Sequence, residues 1–158
     1  DRMPSRGLGD VYKRQIQGDV ANIEPGKGGC HTRNGTLLNH WSISHTDHGA
    51  VAVKSTGPYP IGVDMEPKSR LVDMGALDQI ATEDVKEQTP YPTNLETWMA
   101  IEAVSKATGY GLSISREISY SRGVWKLRGE SWKVDFEQRL VGGVYHLVSI
   151  ARLITEAP

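Results

Sequence analysis

One cysteine, Cys30, stands alone among 158 residues. A single thiol closes no internal disulfide and supplies no Cys-rich zinc module. Phenylalanine occurs once, and no apolar run nears the ~20 residues that a bilayer-spanning helix needs. Charge of one sign is not in surplus either: 18 Lys+Arg face 19 Asp+Glu, a formal net charge of -1. That balance leaves no basic face for non-specific nucleic-acid binding, although a local basic pocket for a phosphate is compatible with it. No internal repeat and no low-complexity tract is visible. What is present, 38% hydrophobic and 23% charged residues, suffices for a folded core. The length suits one domain or two small halves sharing a core. The default class is a cytoplasmic enzyme or binding domain, expected to be a monomer with neither nucleic acid nor membrane as partner.

Residues 1–15, DRMPSRGLGDVYKRQ, carry four Arg+Lys and two Gly and show no periodicity. They resemble translated sequencing-adapter read-through and are set aside as a non-native or disordered tail. The expectation that follows is a chain lacking its native N-terminal part. Residues 16–38 are polar and rich in glycine, which predicts a loop or a weakly ordered remnant. From Trp41 the pattern alternates through Ile43 and His45, with Ser42 and Ser44 between, as a strand does. Ala50–Val53 predicts a second strand and Ile61–Val63 a third, and short links predict a three-stranded antiparallel meander.

Leu71, Met74, Leu77, Ile80 and Ala81 fall at helical spacing, which predicts one helix or two short ones. Thr93-Asn94-Leu95-Glu96 has the form of a capping box. The helix it opens is expected to reach Thr108, where Gly109 supplies a left-handed cap. Strands are predicted at Val124–Leu127, Trp132–Phe136 and Val144–Ile150, with glycine turns between. The element order implies an α+β fold with antiparallel strands packed on helices. The expected organisation is residues 16–61 as a partial N-terminal half and residues 62–158 as a C-terminal half holding the site.

Three short motifs carry chemistry. In Gly62-Val63-Asp64-Met65-Glu66, a strand points Asp64 and Glu66 to one side. Adjacent carboxylates repel unless a cation or a proton lies between them, and a hard divalent cation suits their oxygens. In isolation a D-x-E is more often a solvated strand end. In the helix from Asn94, Glu102 and Lys106 share a face, which by itself is an ordinary exposed ion pair. At a strand end, Ser44-His45-Thr46 offers a hydroxyl and an imidazole to phosphate oxygens, though a lone histidine is more often structural.

Taken in order, Ser44-His45-Thr46, Gly62-Val63-Asp64-Met65-Glu66 and Trp98…Glu102-Ala103…Lys106…Gly109…Gly111-Leu112 resemble the 4′-phosphopantetheinyl transferases. The likeness is to the larger, pseudo-dimeric type, covers about residues 33–151, and includes the last strand, Val144 to Ala151. It implies Mg²⁺-dependent transfer of the phosphopantetheine arm of coenzyme A to a serine of an acyl, peptidyl or aryl carrier protein. Adenosine 3′,5′-bisphosphate would leave. The resemblance further implies Asp64, Glu66 and Glu102 as ligands of Mg²⁺ (or Mn²⁺), Glu102 as base, and Lys106 on the phosphates. Ser44 and His45 would hold the coenzyme. The sequence departs from the pattern at Ile101, where the family has a lysine, and in the fuller basic N-terminal half, which is largely missing. The region Gly26-Lys27-Gly28 with His31 does not align securely with the family's upstream Gly-Lys-Pro.

Other readings are a silent carrier-binding or coenzyme A-binding fragment, and a metal-dependent nuclease using Asp47 or Asp64 with Glu66-Pro67-Lys68. Pro67 inside that element counts against the nuclease. A zinc module on Cys30, His31, His40, His45 and His48 matches no standard ligand spacing. A P-loop is excluded because Gly28, not Ser or Thr, follows Lys27.

Overall fold

A computed structural model describes residues 23–26, 29–32 and 40–155, the first two segments as backbone only. Residues 1–15 and the Lys27-Gly28 pair lie outside these. Within the loop expected across residues 16–38, the described residues form two antiparallel strands, β1 (Ile23–Gly26) and β2 (Gly29–Thr32); residues 16–22 and 33–38 lie outside the described residues. The pairing register runs from Ile23 opposite Thr32 to Gly26 opposite Gly29.

Strands β3 (Trp41–Thr46) and β4 (Gly49–Lys54) form a second hairpin. Strand β5 (Ile61–Pro67) does not continue it into a meander. It joins a separate five-stranded antiparallel sheet of order β5-β9-β8-β7-β6, containing β6 (Ser119–Ser121), β7 (Val124–Leu127), β8 (Glu130–Val141) and β9 (Val144–Leu153). The partner of β5 is the distant β9, with Asp64 opposite Ser149. The links Arg122-Gly123, Arg128-Gly129 and Gly142-Gly143 have positive φ throughout, as tight hairpin turns demand. The mixture of helices with antiparallel sheets is compatible with α+β. None of the described helices is long and apolar enough to cross a membrane.

Between β5 and β6 come α1 (Met74–Ile80), α2 (Glu83–Gln88), α3 (Asn94–Thr108) and a 3₁₀ helix at Gly111–Glu117. The 70–87 pattern resolves into two helices. Asp73 caps the first by accepting from Ala76 N–H at 2.7 Å, and Thr82 caps the second by accepting from Val85 N–H at 3.3 Å. In α3 the Glu96 carboxylate accepts the Thr93 N–H at 3.2 Å, and Gly109 closes the helix at φ 78°. This helix lies against β5 and β9. Gly62 makes the approach possible, because a Cβ there would stand 1.9 Å from the Ala103 carbonyl oxygen and 2.7 Å from the Ala107 nitrogen.

The main core gathers α1–α3, the 3₁₀ helix and the outer strands around Ile101, Val104, Ile118, Trp125 and Trp132. A smaller cluster, Val63, Met65 and Val148, lies on the other face of β5, against Val51 and Val53 of β4. Strand β5 is therefore covered on both sides, and its polar residues are turned toward α3.

Candidate active site: a buried aspartate between two hairpins and a helix

On β3 the buried residues are Ser42 and Ser44, at 2% and 5% exposure, while Trp41 and Ile43 are only half-buried. The reason lies in β5, an edge strand whose outer N–H groups have no neighbouring strand. The Ser42 hydroxyl accepts from Val63 N–H and the Ser44 hydroxyl from Met65 N–H, both at 3.0 Å. Two hydroxyls thus take the place of a strand. An unpaired buried N–H costs ~1–3 kcal/mol, so polar side chains are the favourable ones at these interior positions.

Ser44 does more than cap. Having accepted from Met65, its hydroxyl donates to Asp64 Oδ1 at 3.3 Å. The same oxygen accepts from Lys106 Nζ at 3.1 Å. Asp64 is 4% exposed, and its Oδ2 has no hydrogen-bond partner among the described residues. Beneath it, Ser149 on β9 donates to the Met99 carbonyl of α3 at 3.0 Å, tying the helix to the strand pair that presents the aspartate. Three motifs 20 and 42 residues from Asp64 along the chain, or at it, meet at one carboxylate.

Glu102, one turn before Lys106 on α3, is half-buried. Burial, and after it the Asp64 charge, push its carboxyl from 4.5 up to about 7, against the opposing pull of Lys106. Glu66 is raised by the same two causes in the same order, partly offset by Arg70. Both acids therefore feel Asp64. Glu66 is paired with Arg70, whose guanidinium lies 5.4 Å from the centre of the Trp98 ring. Among the described residues no three His, Cys, Asp or Glu side chains stand ready-made as a metal-holding group. The three carboxylates share a neighbourhood without converging on a point, because Glu66 is turned to Arg70 and Asp64 to Lys106. Arg70 is the site residue that sequence reasoning missed. Its signal was a position four residues after Glu66, but across a turn, where that spacing has no helical meaning.

His45 is not brought to this cluster. It is exposed and, as Ser44's neighbour on a strand, lies on the opposite face. The buried histidine is His146, which is 0% exposed. Its Nδ1 lies 2.8 Å from the Val144 carbonyl, and its Nε2 lies 2.9 Å from the Thr46 hydroxyl. A carbonyl only accepts, so Nδ1 carries the proton and Thr46 donates to Nε2. His146 thereby fastens β3 to β9. Ile101 is 0% exposed in the main core and faces no ligand. Lys68, in the nuclease-like element, donates to Gln138 at 2.8 Å. A pocket of about 370 Å³ opens at the start of β5, lined by Lys54, Tyr59, Ile61 and Arg152 among others, and includes none of Ser44, Asp64, Glu102 or Lys106.

No family model, no curated protein and no solved structure matches the chain.

Proposed function

We propose that the chain is a 4′-phosphopantetheinyl transferase, or the greater part of one, built on that family's fold, which moves the phosphopantetheine arm of coenzyme A onto a carrier-protein serine. The observation that carries this reading is the meeting of all three motifs at Asp64. The Ser44 hydroxyl, the strand carboxylate and the Lys106 ammonium come from separate segments, and all touch Asp64 Oδ1 or bear it. A solvated strand end would not bury an aspartate to 4% exposure with one oxygen unpartnered.

The three acids have the oxygen chemistry that a hard divalent cation takes, although, paired as they are with Lys106 and Arg70, they do not yet converge on one point. Asp64 Oδ2 is a carboxylate oxygen without a hydrogen-bond partner among the described residues, and Glu66 and Glu102 are acids whose charge burial and Asp64 disfavour. A cation among them relieves that cost. Asp64, Glu66 and Glu102 would hold Mg²⁺, which when bound supplies charge for the pyrophosphate oxygens of coenzyme A. Glu102 would be the base for the serine hydroxyl; its carboxyl stands near 7 in the metal-free protein, and a bound cation would lower it and hold the charged, proton-accepting form. Lys106 would meet the charge that develops on the leaving phosphate. Ser44 is committed to Met65 and Asp64, which makes it the holder of the aspartate rather than of the coenzyme. Ile101, in place of the family lysine, contributes to packing alone.

The test is direct. The chain is incubated with a carrier protein, coenzyme A and Mg²⁺, and the carrier protein is weighed by mass spectrometry. A mass gain equal to the phosphopantetheine arm is expected, and none with Asp64→Asn. Coenzyme A binding without any transfer, over long incubation and several carrier proteins, would reduce the reading to a silent binding fragment.

A further inference from the structure

The acidic neighbourhood is already balanced from within. Lys106, on α3, pairs with Asp64 at 3.1 Å. Arg70, on the turn after β5, pairs with Glu66. The third acid, Glu102, has no ion-pair partner among the described residues. Both cations reach solvent: the Lys106 side chain is 25% exposed and that of Arg70 is 39% exposed, and each ends a flexible, rotamer-rich chain. The Trp98 ring gives Arg70 a second attraction, so that a guanidinium leaving Glu66 stays beside the site.

We propose that Lys106 and Arg70 are the resident counter-ions of this site, and that a divalent cation displaces both and releases them to bind an incoming pyrophosphate group. The inference rests on the metal-dependent reading above. One doubly charged ion substitutes for two singly charged side chains, so the acids stay neutralised while two donors become free. Arg70 is suited to this second task, because a guanidinium fork matches phosphate oxygens in pairs. Metal and pyrophosphate then reinforce each other's binding through the protein, beyond their own attraction.

The experiment is calorimetric titration of the full chain, as wild type, Arg70→Ala and Lys106→Met, first with Mg²⁺ alone and then with preformed magnesium pyrophosphate. Removing a resident cation leaves the metal less to displace. The expected result is tighter binding of Mg²⁺ alone, by a few-fold for Arg70→Ala, whose pair is partly exposed. For Lys106→Met, whose partner is buried, about tenfold is expected. Magnesium pyrophosphate should bind more weakly to both variants than to wild type. The opposite signs of the two changes are the signature, since loss of a merely structural contact weakens both. Mg²⁺ affinity in Arg70→Ala equal to or below that of wild type overturns the exchange while leaving the metal site standing, and this variant alters an exposed side chain, so its folding is not at issue. Absence of Mg²⁺ binding in all three proteins overturns the metal-dependent reading and the exchange with it.

Discussion

Glu102 sits beside Asp64 on a helix face that is largely packed, and both facts disfavour its charged form. Its carboxyl rises from 4.5 to about 7, burial being the larger cause. A raised carboxyl means that the folded chain holds this proton more tightly than the unfolded one. The stability this adds is fully present below about pH 4.5 and is lost as pH rises through about 7, amounting to about 3 kcal/mol. Glu102→Gln removes the dependence. The metal-free variant should outlast wild type in thermal melts at pH 8 and match it near pH 4.5. Parallel melting curves for the two proteins across that range would show that Glu102 is better solvated than its packing indicates. Ile101 gives a second prediction. On the resemblance to the transferases it stands where a lysine is expected, and restoring that lysine looks like a gain of a phosphate contact. In the fold the position is 0% exposed in the main core. Ile101→Lys should therefore destabilise by about 3 kcal/mol or more, since it buries an unpaired charge. Thermal unfolding of the variant decides it, and a melting point within a degree of wild type would contradict the placement.

Elements whose signals are local were legible in the sequence. Helix α3 runs from its Thr93 cap to its Gly109 cap because both are written in adjacent residues, and the β7 and β9 strands are set off by glycine turns for the same reason. Strand β3 was legible as a strand but not in its orientation. Alternation of Trp41 and Ile43 with two serines reads as apolar-in and polar-out, yet the serines are the buried set. Their interior is the bare edge of β5, a tertiary surface that wants acceptors, and nothing within residues 41–46 announces it. The same cause defeated the expected meander, since β5 pairs with a strand some eighty residues away. Gly62→Ala places a Cβ 1.9 Å from the Ala103 carbonyl, which is backbone and cannot turn aside. Helix α3 must lift from β5, carrying Glu102 and Lys106 away from Asp64. A loss above 3 kcal/mol is expected, and with it, on the metal-dependent reading proposed above, loss of Mg²⁺ binding; unaltered stability in denaturant titration would refute the close approach. Ser42→Ala leaves Val63 N–H unpaired and should cost ~1–3 kcal/mol, with Ser42→Thr, which keeps the hydroxyl, recovering part of it.

Across the whole molecule, the site spans a seam between two unequal cores. The larger holds α1–α3 and the sheet. The smaller, Val63, Met65 and Val148 with the valines of β4, fixes the β3–β4 hairpin to the sheet, aided by the Thr46–His146 hydrogen bond. Asp64 lies on the large-core side and its holder Ser44 on the small-core side. Sequence motifs identified both residues but not the seam, which depends on which strand neighbours which. Small clusters open more readily than large ones, so the hairpin should detach before the sheet unfolds. Strand β5 reports this residue by residue. Val63 and Met65 donate their N–H groups to serines of the hairpin. By strand alternation the N–H groups of Gly62 and Asp64 point the other way, to β9. Native-state hydrogen exchange should therefore split one strand into two classes: Val63 and Met65 exchanging with the hairpin amides of β3 and β4, Gly62 and Asp64 exchanging only with global unfolding. Ser44→Ala should speed the first class, by lowering the cost of detachment, and leave the second tied to the global transition. Uniform protection along β5 would mean that hairpin and sheet open as one unit, and that Ser44 never releases Asp64 in the native protein.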